Sequence, residues 1–365
     1  MLKFAEVLQT WWPRYVEAAR GPIPARHWHA VEAVLSCRTP RRGGKVAYCS
    51  KCEQSHFFYH ACNHRACPAC GARDQQQWAH RQEARILPVP YYLVTFTVPE
   101  SLRSLFQHYP TELYPLFFQA TSKVVKDLCA NPKFLGGDPG FISVLHSWTR
   151  RMLLHPHIHM LIPAVGWSDD ALQPVHPPEL EFFLPVKALS ARVSHCMHRL
   201  LKSQLPALFA QVPADCWRAE WVSDVRHVGS GRKAVRYLAA YVKKSAFTEQ
   251  RLLGYDEQGR IRLAYQDRET GCHRVEALEP LELIRRWLLH VLPKGLMRVR
   301  HYGWLSAASH RTFGRIRFFL GLKPWRAPES LPEQPLCCAH CGHELTLFAN
   351  LQPMRGPPLA RTILR

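Results

Sequence analysis

The sequence predicts an α+β fold with a central antiparallel sheet, helices behind the sheet and a small cysteine-rich domain before it in the chain. Three segments rich in β-branched and aromatic residues indicate strands, at 91–98, 141–148 and 154–162. Helical patterns lie between and after these strands, without the strict alternation that a parallel sheet requires. Closely spaced cysteines precede the first strand and set the N-terminal part of the chain apart.

The other elements follow in order. The opening twenty residues form an amphipathic helix, and Pro88 and Pro90 separate the cysteine-rich part from the first strand. A short basic turn at 149–152 joins the next two strands into a hairpin. Further helices are expected at 74–87, within 100–129, at 186–205, from Arg232 and at 281–291, with strands at 218–225 and 261–267. The expected domains are 1–87, 88–320 and a proline-rich tail at 321–365.

Charge points to the class of partner. The 365 residues include 48 Lys and Arg against 28 Asp and Glu, a formal charge of +20. The basic residues cluster with Trp, Tyr and His among them, a pattern that favours nucleic acid over a membrane surface. No signal peptide and no apolar run of roughly 20 residues is evident, so we expect a cytosolic, DNA-associated protein. An ordinary solvated basic surface is the alternative.

The paired cysteines indicate a metal site. Two Cys-x2-Cys pairs, Cys49 with Cys52 and Cys67 with Cys70, could each supply half of a tetrahedral Zn²⁺ site. We therefore predict one structural zinc ion held by these four thiolates, with Cys62 as the chief competing ligand. Near the C-terminus, Cys338 and Cys341 resemble half of a zinc ribbon whose other half is not evident in the sequence.

A second candidate metal site lies in the strand LHPHIHMLI. Its residues His157 and His159 flank Ile158, and alternate side chains of a strand share a face. Two imidazoles are too few for a divalent cation, so a third ligand is needed. His146 in the neighbouring hairpin strand is preferred, against some residue on the following helix. The alternative is that these are ordinary histidines on a half-buried sheet.

A nucleophile is offered by the segment GRKAVRYLAAYVKK. It predicts a helix with Val235, Leu238 and Val242 on its apolar side. Tyr237 and Tyr241 lie one turn apart on the opposite side, near basic residues that include Lys244. Nearby lysines favour the phenolate form of tyrosine, which could attack a DNA phosphate and leave a 5′-phosphotyrosine and a free 3′-hydroxyl. Base stacking by exposed tyrosines is the alternative.

Taken together, these blocks resemble rolling-circle transposases of the insertion-sequence-ninety-one type, within the histidine-hydrophobic-histidine nucleases. The resemblance rests on CSKC with ACNHRACPAC, LPVPYYLVTFTVPESL, LHPHIHMLIPAVG, RYLAAYVKK and LPKGLMRVRHYGWL. It implies a metal held by His157 and His159, nucleophiles at Tyr237 and Tyr241, and action on single-stranded transposon ends.

From this resemblance we expect a metal-dependent DNA transposase that uses Mg²⁺ or Mn²⁺, carries structural Zn²⁺ and acts on transposon ends and target DNA. Lys243 or Lys244 would steady the charge that develops on the phosphate. Two alternatives stay open at this point. One is a replication initiator or relaxase with the same chemistry, and the other is a non-catalytic zinc protein that binds DNA.

Overall fold

The computed structural model describes residues 2–219, 221–242, 245–267 and 270–364. Its N-terminal part combines helices with a hairpin that carries the first cysteine pair. The elements are α1 (Phe4–Glu17), α2 (Ala25–Ser36), β1 (Gly44–Cys49), β2 (Gln54–Tyr59) and α3 (Ala72–Glu83).

The middle of the chain alternates strands with longer helices. Its elements are β3 (Tyr91–Thr97), α4 (Glu100–His108), α5 (Pro110–Cys129), β4 (Asp138–Pro139), β5 (Phe141–Trp148), β6 (Leu154–Pro163), β7 (Gly166–Ser168), β8 (Gln173–Val175), α6 (Val186–Gln204) and α7 (Pro206–Phe209). The remainder comprises β9 (Val222–His227), α8 (Arg232–Val242), β10 (Leu252–Tyr255), β11 (Ile261–Gln266), β12 (His273–Leu278), α9 (Pro280–Leu288), β13 (Val299–Tyr302), α10 (His310–Phe319), β14 (Thr346–Leu351) and α11 (Leu359–Thr362).

Within the described residues, five strands form the central sheet in the order β13-β5-β6-β3-β9, and every neighbouring pair is antiparallel. Strand β5 is buried along its whole length, because helices cover both faces of the sheet there. One face carries Ile158 and Met160 against a large core with α4, α5 and α6. The other face carries Val144 and Leu161 against α8. The predicted α+β class and the β5-β6 hairpin are therefore confirmed.

Local chemistry explains where the elements differ from expectation. The helical stretch at 100–129 divides at Tyr109 (φ −120°, ψ 52°), because a residue before proline disfavours the helical conformation and Pro110 follows. The strand expected at 218–225 begins only at Val222. Ahead of it the chain forms a 3₁₀ turn at Ala214–Trp217, which Arg218 closes with a backbone bond to the carbonyl of Asp215.

The two ends of the chain meet. β14 pairs with the outer side of β1, and β2 pairs with the other side, so the N-terminal hairpin and the C-terminal tail share one sheet. Helix α11 packs on α2. The division into 1–87, 88–320 and 321–365 stays a prediction, but the tail is structurally joined to the cysteine-rich part. Among the described residues, no helix is long and apolar enough to span a membrane.

The N-terminal helices join the rest of the chain through α9. Trp287 on α9 is fully buried, its ring lies 5.0 Å from that of Phe4, and its Nε1 donates a hydrogen bond of 2.8 Å to the carbonyl of Ala66. Buried Trp148 and Met152 from the central hairpin belong to the same core. This core therefore connects the cysteine-rich part to the strands of the central sheet.

Replacing Trp287 with Ala should lower the free energy of unfolding by about 3–5 kcal/mol, because it removes a buried aromatic side chain and leaves a cavity. Urea denaturation followed by circular dichroism measures this. Phe318→Ala is the matched control, since Phe318 is 79% exposed and should cost little. Equal losses in the two variants would contradict the assignment of Trp287 to a connecting core.

Candidate active site

The candidate site begins with strand register. Pairing of β5 with β6 places His146 opposite His157, and pairing of β3 with β6 places Thr95 opposite His159. The side chains of His157 and His159 lie on the face that α8 covers, whereas Ile158 between them packs into the opposite core. Nitrogen atoms of His146, His157 and His159 lie within 4.8 Å of one another. The structure thus brings together the two strand histidines and the third residue predicted from the hairpin.

Hydrogen bonds orient these imidazoles. Nδ1 of His157 lies 2.7 Å from the carbonyl oxygen of His155, and because a carbonyl can only accept, this nitrogen carries the hydrogen. Nε2 of His157 is then an acceptor, and it lies 2.7 Å from Nδ1 of His146. Nδ1 of His159 lies 2.9 Å from the hydroxyl oxygen of Thr95. Such outer contacts hold metal-binding histidines in position.

Burial keeps His146 uncharged. Desolvation is the main cause that lowers its pKa well below 6.5, and the nearby His157 and His159 lower it further. A neutral imidazole retains a lone pair, which is the form that binds a cation. The three histidines are therefore suited to hold a metal ion together.

Helix α8 supplies both tyrosines. The helix starts after two glycines with positive φ, and at Gly231 (φ +74°) a Cβ atom would lie 2.7 Å from the ring of Tyr91. Its apolar side is buried as predicted, at Ala234, Val235, Leu238, Ala239 and Val242. Tyr237 is 45% exposed, whereas Tyr241 is half-buried against the core. Lys244, the predicted basic partner, lies outside the described residues.

The tyrosine rings face the histidines. The ring centroid of Tyr241 lies 3.9 Å from that of His146, and that of Tyr237 lies 5.6 Å from that of His159. The two tyrosine rings are 5.0 Å apart. Two nucleophile candidates therefore lie beside one candidate metal site.

An open cleft of about 1450 Å³ contains all five of these side chains. Arg150 and Arg151 line one wall, and Arg226 and Lys233 line another. Arg151 forms an ion pair with Glu276 and Arg226 with Asp224, so part of this charge is balanced. The cleft has the size and the charge to take an extended polyanion.

The basic clusters of the sequence divide into two roles. Arg286 is buried and pairs with Glu276 and Glu282, so it stabilises the fold rather than facing a ligand. Arg298 is buried too, and desolvation lowers its pKa to about 9. Its guanidinium lies over the Trp148 ring, 5.3 Å from the centroid, and donates to the carbonyl of Tyr241 at 3.5 Å. At neutral pH it remains a cation behind the site.

The cysteines do not form the single predicted site. Among the described residues they gather in two clusters of four, so the prediction that Cys49, Cys52, Cys67 and Cys70 share one ion is wrong in its grouping. One cluster consists of Cys37, Cys62, Cys67 and Cys70, and the other of Cys49, Cys52, Cys338 and Cys341. The physical reason is the hairpin: β1 and β2 direct the first pair toward the C-terminal tail and away from the second pair.

Cys37 and Thr95 were not predicted from the sequence, and the partners of Cys338 and Cys341 were left open. Cys37 stands alone, twelve residues before the first cysteine pair, and has no pairing motif. Thr95 carries no metal-binding signal, because threonine is common in strands and Thr97 lies in the same one. Cys338 and Cys341 were recognised as half a site, but their partners are nearly the whole chain away. Only tertiary contacts reveal the roles of Cys37 and Thr95 and the partners of the two tail cysteines.

Comparison with known proteins places the chain. Residues 7–98 match a family model described as "Transposase zinc-binding domain", of the insertion-sequence-91 type, and residues 140–312 match one described as "Putative transposase". A relative from Sinorhizobium fredii, named "Putative transposase y4qJ", is 32% identical over 314 residues, which cover 80% of this chain and 78% of the relative. The chain belongs to this transposase family. The predicted family resemblance is confirmed.

A second relative of this transposase is the "Transposase for insertion sequence element IS801" of Pseudomonas savastanoi pv. phaseolicola. It is 27% identical over 294 residues, covering 76% of this chain and 69% of the relative. No solved structure matches the transposase. Family membership makes it a DNA-processing enzyme with a zinc-binding domain, and all the histidines and tyrosines of the cleft lie within the 140–312 match.

The transposase should lose stability in acid through His290. This buried residue donates from Nε2 to the carbonyl of Met152 at 2.9 Å, and burial lowers its pKa from 6.5 to about 4. Between pH 4 and pH 6.5, the folded state therefore binds fewer protons at His290 than the unfolded state does. The contribution of neutral His290 to the free energy of unfolding is fully present above pH 6.5. It falls by about 3 kcal/mol as the pH drops to 4.

Urea denaturation at a series of pH values measures this effect. His290→Gln retains a donor at the position of Nε2 for Met152 but cannot titrate, so its stability should depend less steeply on pH between 6.5 and 4. His195→Asn, at an exposed position on α6, should keep the slope of the native protein. The same slope in His290→Gln as in the native protein would refute the role of this residue.

Proposed function

We propose that the chain is a DNA transposase that cleaves and rejoins single strands at transposon ends through tyrosine, with a divalent metal ion at the three histidines. The observation that carries this proposal is the placement of both α8 tyrosine rings beside the histidine cluster, in one basic cleft. A protein that only bound DNA would need neither the buried histidine cluster nor its orienting hydrogen bonds. Transposition of a rolling-circle type follows from this chemistry.

The three histidines fit a metal ion on their own chemistry. Because Nδ1 of His157 donates to the His155 carbonyl, its Nε2 carries the lone pair, which points at Nδ1 of His146 inside the cluster. Nε2 of His146 is buried and finds no hydrogen-bond acceptor or donor among the described residues. The choice of Mg²⁺ or Mn²⁺ is taken from the family resemblance, and water and phosphate oxygens would supply the oxygen ligands that these ions prefer at the positions left open by three imidazoles. Bound there, the ion would polarise the scissile phosphate.

The tyrosines provide the covalent step. A hydroxyl oxygen of Tyr237 or Tyr241, having lost its proton to solvent, attacks the phosphorus atom. The bond from phosphorus to the 3′ oxygen breaks, that oxygen takes a proton, and the 5′ phosphate stays on tyrosine. In rejoining, a 3′-hydroxyl attacks the phosphotyrosine and releases the side chain. The number of phosphoester bonds is unchanged, so no ATP is required, and two tyrosines allow two successive transfers.

The walls of the cleft would bind and orient the strand. Lys233 lies on α8 one turn before Tyr237 and is exposed, so it can reach a phosphate next to the scissile one. Tyr265 offers an aromatic face for a base in the same cleft. The buried cation of Arg298 lies behind Tyr241 and favours negative charge on that side of the site. Lys244 remains a proposed contributor to charge stabilisation.

Structural zinc is proposed in the cluster of Cys37, Cys62, Cys67 and Cys70. The sulfur atoms of Cys62 and Cys70 are 3.7 Å apart, close to the roughly 3.8 Å between ligands of a tetrahedral ion with bonds of about 2.3 Å. Backbone amides support the sulfurs, since Cys62 donates to Cys37 and His64 donates to Cys62. Next to this cluster, Arg65 donates to carbonyls at 292, 293 and 296, which ties the zinc module to the catalytic part.

The decisive experiment uses a labelled single-stranded oligonucleotide that carries an end of the element. Native protein with Mn²⁺ should form a covalent protein–DNA adduct, seen as a shifted labelled band on a denaturing gel. Tyr237→Phe and Tyr241→Phe should each reduce cleavage or strand transfer by at least about 100-fold, because a missing nucleophile removes that step. The double variant should form no adduct.

Tyr265→Phe serves as a matched control, since it removes a tyrosine hydroxyl from the same cleft but keeps the aromatic ring, and it should retain the adduct. Full cleavage and strand transfer by both single variants would contradict the two-nucleophile mechanism. Absence of an adduct with native protein, under conditions where the oligonucleotide binds, would leave only a DNA-binding protein.

The histidine cluster has its own test. His146→Gln should weaken Mn²⁺ binding by at least about tenfold in isothermal titration calorimetry, because one of three nitrogen ligands is lost. It should also lower adduct yield at limiting Mn²⁺. His195→Gln, on the surface of α6, should bind Mn²⁺ as the native protein does. If His146→Gln kept full Mn²⁺ affinity, the third ligand would have to be another residue.

A further inference from the structure

We propose that a second Zn²⁺ ion joins the two ends of the chain, bound by Cys49 and Cys52 from the N-terminal hairpin and by Cys338 and Cys341 from the tail. The family zinc-binding match ends at residue 98 and contains only the first pair of these ligands. The site is independent of the cleavage chemistry proposed above. In this proposal the tail supplies half of a zinc ribbon.

Sulfur spacing supports a tetrahedral ion. The sulfur atoms of Cys49 and Cys341 are 3.6 Å apart, and those of Cys338 and Cys52 are 3.9 Å apart. All four sulfurs lie within 4.8 Å of one another. Ligands of a tetrahedral zinc ion with bonds of about 2.3 Å are roughly 3.8 Å apart, whereas a disulfide would bring two sulfurs to about 2.05 Å. The cluster matches a metal site and not a cross-link.

The backbone around each cysteine pair directs its two sulfurs toward one shared metal position. Each second cysteine is followed by a residue with positive φ, Glu53 at +52° and Gly342 at +71°. For Glu53 this conformation is costly, and it persists where surrounding structure imposes it. Gly342 donates to the carbonyl of Cys338 at 2.9 Å, and backbone amides of His340 and Cys341 donate to the Cys338 sulfur. Both pairs therefore form tight turns that present two sulfurs on one side.

The proposed first zinc cluster provides an internal comparison. There too a residue with positive φ follows a cysteine, at Arg38 (+55°), Asn63 (+53°) and Gly71 (+95°). Among the described residues only five non-glycine positions have positive φ, and three of them directly follow a clustered cysteine. The same backbone conformation after a cysteine thus recurs at both clusters, which favours the same metal ion at both.

The immediate surroundings suit a thiolate site. Cys49 is fully buried and Cys338 is 3% exposed, and they pack with Ala47 and Leu345 in a small core of their own. Pairing of β1 with β14 brings the two turns together from opposite ends of the chain. Nε2 of His56 on β2 lies 3.3 Å from the Cys338 sulfur, where it can donate to a thiolate bound to zinc.

Zinc content per chain tests the inference. Full-length protein purified under reducing conditions should hold two zinc ions per chain by inductively coupled plasma mass spectrometry. The double variant Cys338→Ser with Cys341→Ser should hold one, a loss of one equivalent. Cys337→Ser is the matched control, since Cys337 is adjacent and exposed and lies outside the cluster, and it should keep two. One zinc in native protein, or two in the double variant, would overturn the proposal.

A second measurement needs no variant and therefore does not depend on the double variant folding. Protein produced in zinc-depleted, cobalt-supplemented medium should contain two Co²⁺ ions per chain, with charge-transfer absorption corresponding to thiolate ligation of both. Absorption that accounts for only one thiolate-bound ion would overturn the proposal. So would a disulfide between Cys49 and Cys341 in mass spectra of native protein kept in reducing buffer.

Discussion

Antiparallel register in the β5-β6 hairpin is the constraint on which the site depends. It sets His146 opposite His157 and leaves His159 beside Thr95 on the neighbouring strand. A slip of one residue would turn both strand histidines into the core that now holds Ile158 and Met160, and would turn those apolar groups into the cleft. The buried apolar residues of β6 therefore maintain the register, and through it the position of every imidazole.

The positive charge of the molecule is divided between its interior and its cleft. Arg65, Arg286 and Arg298 are bound to carbonyls or carboxylates inside the fold, where they connect elements distant in sequence. Lys233 remains exposed in the cleft. The net charge of +20 thus combines buried cations that stabilise the fold with exposed cations that line the cleft. Only the exposed cations are accessible to a polyanion. Arg298 combines both roles, because it stabilises the core and also places a positive charge behind Tyr241.

Local patterns in the sequence were enough to predict which histidines and tyrosines meet in the candidate active site. The alternation in LHPHIHMLI and the helical spacing of Tyr237 and Tyr241 depend on neighbours within a few residues, and the structure places these side chains in one cleft. The cysteine sites were a different case. Both Cys-x2-Cys pairs were visible in the sequence. Which cysteines share a metal site, however, depends on contacts between residues far apart in the chain, such as Cys52 and Cys338, which are separated by 286 residues. Spacing along the chain carries no information about such partners.

The shared sheet of the two chain ends has a consequence during synthesis. β1 emerges from the ribosome long before the strand that covers its outer side, β14. At about 5–20 residues per second, roughly 15–60 s separate the two strands. Throughout that interval β1 has an open edge able to pair with another chain. A message truncated before the codons of β14 would leave that edge open for good, so synthesis through β14 is what protects the nascent chain against aggregation at this edge.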